Sequence, residues 1–272
     1  MARIAPTRIS TVLLDIDGTV VDAKNCYNSR LKNEIGELVR DGVCVGVSTN
    51  RALKSSMGIY KELGLNGPIL FEDGAAIYLP LKNKRVNLIT NVVKLNSAKA
   101  LVVEAINSGK LAFELKMDDV VFKLNDEKEY SISVHIRKND GTRCDYLVSQ
   151  IVPAVESILA NFTNLITYDT GRGNFLVRYV DSGKGVGVEY MVRKGLINGE
   201  ETIIIGDGDN DVLAFRMIQM HGGLAGVVGN ATDRAKAFAD IYSSSEYSEG
   251  VMEILAKVKL LNSEVLGGVE RA

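Results

Sequence analysis

Apolar runs at 11–16, 43–47 and 69–71 are separated by amphipathic stretches at 27–40 and 53–63, an order that reads β-α-β-α-β. The rhythm returns after Lys184, with a helix to Lys194, a strand 202–205, a helix from Asn210, a strand 224–228, and helices near 231–239 and 248–259. Alternation of this kind predicts an α/β fold, a parallel sheet covered by helices on both faces.

Between the two blocks the pattern changes. A helix is expected at 97–107, strands at 111–116, 120–124 and 130–137, a helix at 144–159, and two more strands at 165–168 and 175–179. Successive strands joined by short polar turns such as Asn139-Asp140-Gly141 favour an antiparallel sheet backed by two helices. The expected organisation is therefore a core of residues 1–82 and 181–272 interrupted by a second domain, 83–180. Residues 131–137 alternate strictly, which puts Ile132, Val134 and Ile136 on one face and Ser133, His135 and Arg137 on the other.

Composition narrows the function classes. A formal charge of -2 on 272 residues, with no long Lys/Arg run, argues against a nucleic-acid partner. No apolar segment is long enough to span a membrane, and the run 11–14 meets Asp15 and Asp17 too early for a signal peptide. Cys26, Cys44 and Cys144 are widely spaced and lack a CxxC pair, which fits a reducing cytoplasm better than a disulfide framework or a zinc site. The triplets beginning at Asn161 and Asn230 match the glycosylation pattern only as chance occurrences.

The candidate chemistry is acidic. Asp15-Ile16-Asp17-Gly18-Thr19 ends the first strand and sets two carboxylates two residues apart at the carboxyl edge of the sheet, where open α/β sheets bind ligands. Close carboxylates repel, so they need a cation or a shared proton, and Gly18 lets the backbone approach a ligand. A calcium loop would require Glu at its twelfth position, where Cys26 stands. A second cluster, Gly206-Asp207-Gly208-Asp209-Asn210-Asp211, follows the strand 202–205, with Asp209 or Asn210 also eligible as a helix cap. An all-oxygen site from Asp15, Asp17, Asp207 and Asp211 suits Mg²⁺ before Zn²⁺.

DxDGT after a first strand and GDGxND after a late one resemble the first and fourth motifs of the haloacid-dehalogenase superfamily. The resemblance extends to Ser48-Thr49-Asn50-Arg51, similar to that family's Thr-Gly-Arg form with Asn50 in place of Gly. Thr49 aligns with the motif Thr, and Ser48 is a competing choice. Lys184, in Asp181-Ser182-Gly183-Lys184-Gly185, matches the third motif. Glu72-Asp73-Gly74 is similar to Glu-Asn-Gly in the branch that carries this kind of insertion. The inserted domain resembles a C2-type cap, in its smaller αββαββ form, as in Cof-like, sucrose-phosphatase-like and archaeal phosphoglycolate-phosphatase-like members.

The resemblance implies a Mg²⁺-dependent phosphatase acting on a small phosphorylated metabolite through an aspartyl-phosphate. Asp15 is the implied nucleophile and Asp17 the proton carrier, Thr49 and Lys184 would hold the phosphoryl group, and Asp15, the Asp17 carbonyl, Asp207 and Asp211 would hold the cation. Gly18, Asn50 and Asn210 are further candidates around the phosphate. His135, Arg137 and Arg178 are candidates for the leaving group, and a cationic cluster there would favour a carboxylate or a second phosphate. Sugar or sugar-acid phosphates rank first as substrates, phosphoglycolate second and nucleotides third. A phosphomannomutase-type mutase and, more distantly, a receiver-like signalling module are the alternatives, and a monomer or homodimer is expected.

Overall fold

The computed structural model describes residues 8–115 and 119–269. They divide into two compact units, one formed by the chain up to Leu88 together with the chain from Gly183 onward, the other by Ile89–Ser182.

The first unit opens with β1 (Thr11–Leu14), α1 (Arg30–Arg40), β2 (Cys44–Ser48), α2 (Leu53–Leu63) and β3 (Ile69–Phe71). A hairpin follows, β4 (Ala76–Leu79) and β5 (Lys84–Asn87). The second unit contains α3 (Val93–Asn107), α4 (Lys110–Leu115), β6 (Val120–Leu124), β7 (Ile132–Lys138), α5 (Asp145–Ile158), β8 (Leu165–Asp169) and β9 (Asn174–Tyr179). The chain then returns with α6 (Lys184–Arg193), β10 (Thr202–Gly206), α7 (Val212–Met220), β11 (Leu224–Val227), α8 (Asp233–Lys236), β12 (Ile241–Tyr242) and α9 (Tyr247–Val269).

In the first unit the strand order is β12-β11-β10-β1-β2-β3-β4-β5. The run from β12 to β3 is parallel, and β4 and β5 are antiparallel additions. Strands β1, β3 and β10 are uniformly buried, as continuous apolar runs in a doubly covered sheet require. From β1 the chain runs outward through β2 and β3 on one side and later returns through β10, β11 and β12 on the other. The carboxyl ends of β1 and β10 therefore flank the topological switch point.

The hairpin corrects the expected start of the insertion. Residues 84–87 pair with β4 in register Ala76↔Asn87 to Leu79↔Lys84, so they extend the core sheet. Sequence patterning misses this pair because β5 is a short edge strand with one apolar residue and two adjacent cations, Lys84 and Arg85, a composition that protects exposed edges.

The second unit is a four-stranded antiparallel sheet, β6-β7-β9-β8, backed by α3, α4 and α5. Ile132, Val134 and Ile136 are buried in its core with Leu147, Val148 and Ile151 of α5. One expected strand is a helix: 110–115 forms α4, and the remainder of the expected segment, Lys116, lies outside the described residues. Leu111 and Leu115, four apart, both enter this core, while Phe113 is 81% exposed. Apolar residues at 111, 113 and 115 satisfy a period of two, but packing selects the helical pair. Among the described residues no helix is long and apolar enough to cross a membrane.

Candidate active site

Asp15 directly follows β1, and its N–H donates to the Ile205 carbonyl of β10 (2.8 Å), which continues the parallel ladder past the end of the strand. Asp207 directly follows β10. One carboxylate oxygen from each of Asp15, Asp207 and Asp211 lies within 4.8 Å of the others, and all three residues are buried. Lys184 enters from the first turn of α6, where its Nζ donates to Asp15 Oδ1 (2.7 Å) and to Asp211 Oδ1 (2.6 Å) with the residue only 1% exposed.

Local structure fixes each of these groups. Asp211 is the residue preceding α7, so the helix starts later than the cluster 209–210 implies and neither Asp209 nor Asn210 is its cap. Rather than capping the helix, Asp211 Oδ2 receives the N–H groups of Asp207 (3.2 Å) and Gly208 (3.0 Å), which ties down the acidic loop. Asp209 turns away to accept from Thr232 Oγ1 (2.6 Å), and Asn210 is exposed. Thr19 Oγ1 donates to Asp207 Oδ1 (2.8 Å) and so orients a second carboxylate.

The glycines around Lys184 serve packing. A Cβ on Gly185 would stand 2.7 Å from the Leu213 carbonyl oxygen of α7, which explains the Gly-rich look of 183–187 without a phosphate loop. Glu72, Asp73 and Gly74 all have positive φ (47°, 55° and 82°). Their turn is held by Glu72 N–H to Arg51 O (3.0 Å) and Asp73 N–H to Thr49 O (3.1 Å). A Cβ on Gly74 would lie 2.0 Å from the Gly183 carbonyl oxygen, so only glycine lets this turn approach the start of α6.

Register Leu14↔Val47 puts Ser48 beside Asp15 at the sheet edge. The Ser48 hydroxyl is buried and has no hydrogen-bond partner among the described residues. Thr49 Oγ1 accepts the Arg51 N–H (3.1 Å), which occupies a lone pair and leaves its own O–H available to donate. Asn50 is half-buried on the same loop. Gly18 donates its N–H to Val21 O (2.8 Å), and its carbonyl receives Asn230 Nδ2 (2.8 Å).

Asp17 departs from the other carboxylates. Its side chain is outside the cluster of Asp15, Asp207 and Asp211 and is held by Arg51, with Nε to Oδ2 at 2.8 Å and Nη2 to Oδ1 at 2.7 Å. Motif spacing alone gives Arg51 and Asn230 no role, although Arg51 ends the segment that begins at Ser48.

Charge decides what the cluster can hold. The Lys184 ammonium is shared by Asp15 and Asp211, and a third buried carboxylate, Asp207, converges on the same point. Burial pushes the Asp15 carboxyl well above the usual carboxylate range; Lys184 pulls it down, and Asp211, Asp207 and Asp17 push it up further. Burial alone would lower the Lys184 ammonium, but Asp15 and Asp211 outweigh it and push it up. A set of three converging carboxylate oxygens fits a hard divalent cation.

In the second unit, the pairing of β7 with β9 and of β9 with β8 puts Ser133, His135, Asn174 and Arg178 on the sheet face opposite Ile132 and Val134. Ser133 Oγ accepts from Asn174 Nδ2 (3.2 Å), and Arg137 Nη2 lies 3.2 Å from His135 Nδ1. Arg137 Nη1 donates to the carbonyls of Ile136 (2.8 Å) and Gly173 (2.9 Å), and Arg178 Nη1 donates to the carbonyls of Tyr179 (2.9 Å) and Ser182. Burial lowers His135 to about 4, helped by Arg137, Lys128, Lys123 and Arg143. His135 is therefore neutral near pH 7 and adds no charge to this face.

Other proteins share this chain's fold and much of its length. A phosphoglycolate phosphatase from Thermoplasma volcanium is 22% identical over 93% of this chain and 100% of its own length. A 5-amino-6-(5-phospho-D-ribitylamino)uracil phosphatase from Bacillus subtilis is 26% identical over 92% of this chain and 97% of its own. A solved structure from Thermoplasma acidophilum shares the fold with a TM-score of 0.68 at 20% identity, covering 93% of this chain and all of that one. The model of the haloacid dehalogenase-like hydrolases matches residues 12–255, which include every residue of the cluster, and the chain belongs to that family of hydrolases.

Proposed function

We propose that the protein is a Mg²⁺-dependent phosphatase that removes phosphate from a small phosphorylated metabolite in the cytoplasm, with Asp15 as nucleophile. The phosphatase names of relatives matched along nearly the whole chain support the reaction class. The observation that carries the reading is the buried Asp15–Lys184–Asp211 arrangement beside Asp207 at the switch point.

An Asp15 oxygen attacks phosphorus in line as the bond to the leaving oxygen breaks, which gives an aspartyl-phosphate and divides one hard displacement into two easier ones. Lys184 offsets the negative charge of the transferring group and keeps Asp15 aimed. Thr49 donates its hydroxyl to a phosphoryl oxygen. Asp17 protonates the leaving oxygen and later takes a proton from the water that releases phosphate. Asp15, Asp207, Asp211 and the Asp17 carbonyl would hold Mg²⁺, which when bound supplies Lewis-acid neutralisation of phosphoryl charge.

Selection of the leaving group falls to the second unit, where Arg137 and Arg178 offer planar donors suited to a carboxylate or second phosphate and His135 a neutral one. Bonds to backbone carbonyls restrain where each guanidinium lies.

The experiment measures phosphate release from sugar phosphates, sugar-acid phosphates, phosphoglycolate and nucleotides, with Mg²⁺ and with chelator. It then compares His135→Ala, Arg137→Ala and Arg178→Ala on the best substrate and on an aryl phosphate. Mg²⁺-dependent release is expected, with kcat/KM of the arginine variants down by about tenfold or more on the best substrate alone. Isomerisation of a sugar phosphate without net release would replace the phosphatase reading, and equal losses on both substrates would remove the assignment of the leaving-group face.

A further inference from the structure

We propose that Arg51 is the positioning residue for Asp17, keeping that carboxylate out of the cation site and aimed for proton transfer; the inference rests on the reading of Asp17 above. A carboxylate two residues from Asp15 is tethered close enough to join Asp15, Asp207 and Asp211 around a cation. It is instead gripped by two parallel N–H···O bonds from one guanidinium, on different oxygens, at 2.8 and 2.7 Å. Such a fork fixes the plane of the carboxylate as well as its place.

The grip is effective because Arg51 is itself restrained. Its N–H donates to Thr49 Oγ1 (3.1 Å), and its carbonyl accepts from Glu72 (3.0 Å). Nη2 also donates to Asn25 Oδ1 (2.6 Å). Asn25 has φ 60° and is presented by a loop in which Asp22 Oδ1 accepts the N–H groups of Lys24 and Cys26, both at 2.8 Å. The Arg51 and Asp17 side chains are 18% and 34% exposed. Ion pairs that exposed add little to stability, so orientation is the property for which this fork is suited.

In the proposed reaction the Asp17 carboxyl gives its proton to the ester oxygen as the P–O bond breaks. Its carboxylate later takes a proton from water as the water oxygen bonds phosphorus and the Asp15–phosphorus bond breaks. Both transfers need the carboxylate within hydrogen-bond reach of an oxygen in line with Asp15.

The test is a double-mutant cycle of Arg51→Gln and Asp17→Asn, measured in the full-length protein with Mg²⁺ on an alkyl phosphate and an aryl phosphate. Arg51→Gln is expected to lower kcat on the alkyl phosphate by about 10–100-fold with KM nearly unchanged and to cost less on the aryl phosphate, whose leaving group needs less help. In the Asp17→Asn background the same change is expected to cost less than about threefold further. Arg51→Lys, which keeps the charge but loses the fork, is expected to fall between and serves as the comparison if Arg51→Gln does not fold. Losses that multiply across the two backgrounds, or a rise in KM with kcat intact, would overturn the inference while leaving Asp17's role standing. Full activity of Asp17→Asn on the alkyl phosphate would overturn both.

Discussion

Asp15→Asn is expected to lower phosphatase turnover by about 10³-fold or more while the protein stays folded, because a carboxamide cannot form the covalent intermediate. The change is nearly isosteric. The carboxamide oxygen of the variant can still accept from Lys184, and the substitution removes one of three crowded buried carboxylates. Thermal stability should therefore hold or rise slightly. Kinetics on the best substrate together with thermal melts check both halves. Activity within about tenfold of wild type would remove Asp15 as nucleophile.

Lys184→Met is expected to have the largest effect on stability. The Lys184 side chain is fully buried against Asp15 and Asp211, which are themselves 6% and 1% exposed. Removal of the shared cation leaves buried carboxylates without their counter-charge, a loss of about 3–5 kcal/mol. Millimolar Mg²⁺ should recover part of it, since a ligand that binds only the folded state stabilises by mass action. Melting temperature with and without Mg²⁺ is the measurement. A variant that melts with wild type in chelator would show that Lys184 is not the counter-charge of the cluster.

The core was legible because each of its elements has its own period. Residues 53–63 and 69–71 emerge with the expected boundaries, since a helical stripe and an uninterrupted apolar run are local signals. Residues 111–115 fit two periods at once, and only packing of Leu111 and Leu115 into the second unit's core decides between them. The strand 84–87 carries a single apolar residue, Val86, too little for a strand signal, because an edge needs few.

The site divides in the same way. Two aspartates after one strand and a run of acids after another announce themselves in sequence, because carboxylates at that spacing are costly without a ligand. Arg51 stands in a motif-like segment, but its role was not legible, nor was that of Asn230, for these depend on partners 34 and 212 positions away, Asp17 and the Gly18 carbonyl. Thr49 was legible as a motif residue, but that its hydroxyl is primed to donate follows only from the bond it accepts from Arg51.

The central claim is that Asp15 carries the phosphoryl group between substrate and water. Its most direct test is a single turnover with phosphate-labelled substrate, quenched in acid within milliseconds, followed by digestion and mass analysis of the labelled peptide, with Asp15→Asn as control. The mechanism predicts release of the leaving alcohol ahead of free phosphate, with the phosphoryl group on the peptide that contains Asp15 and absent from Asp15→Asn. Simultaneous release of alcohol and phosphate with no labelled peptide, or label on a peptide without Asp15, would contradict it.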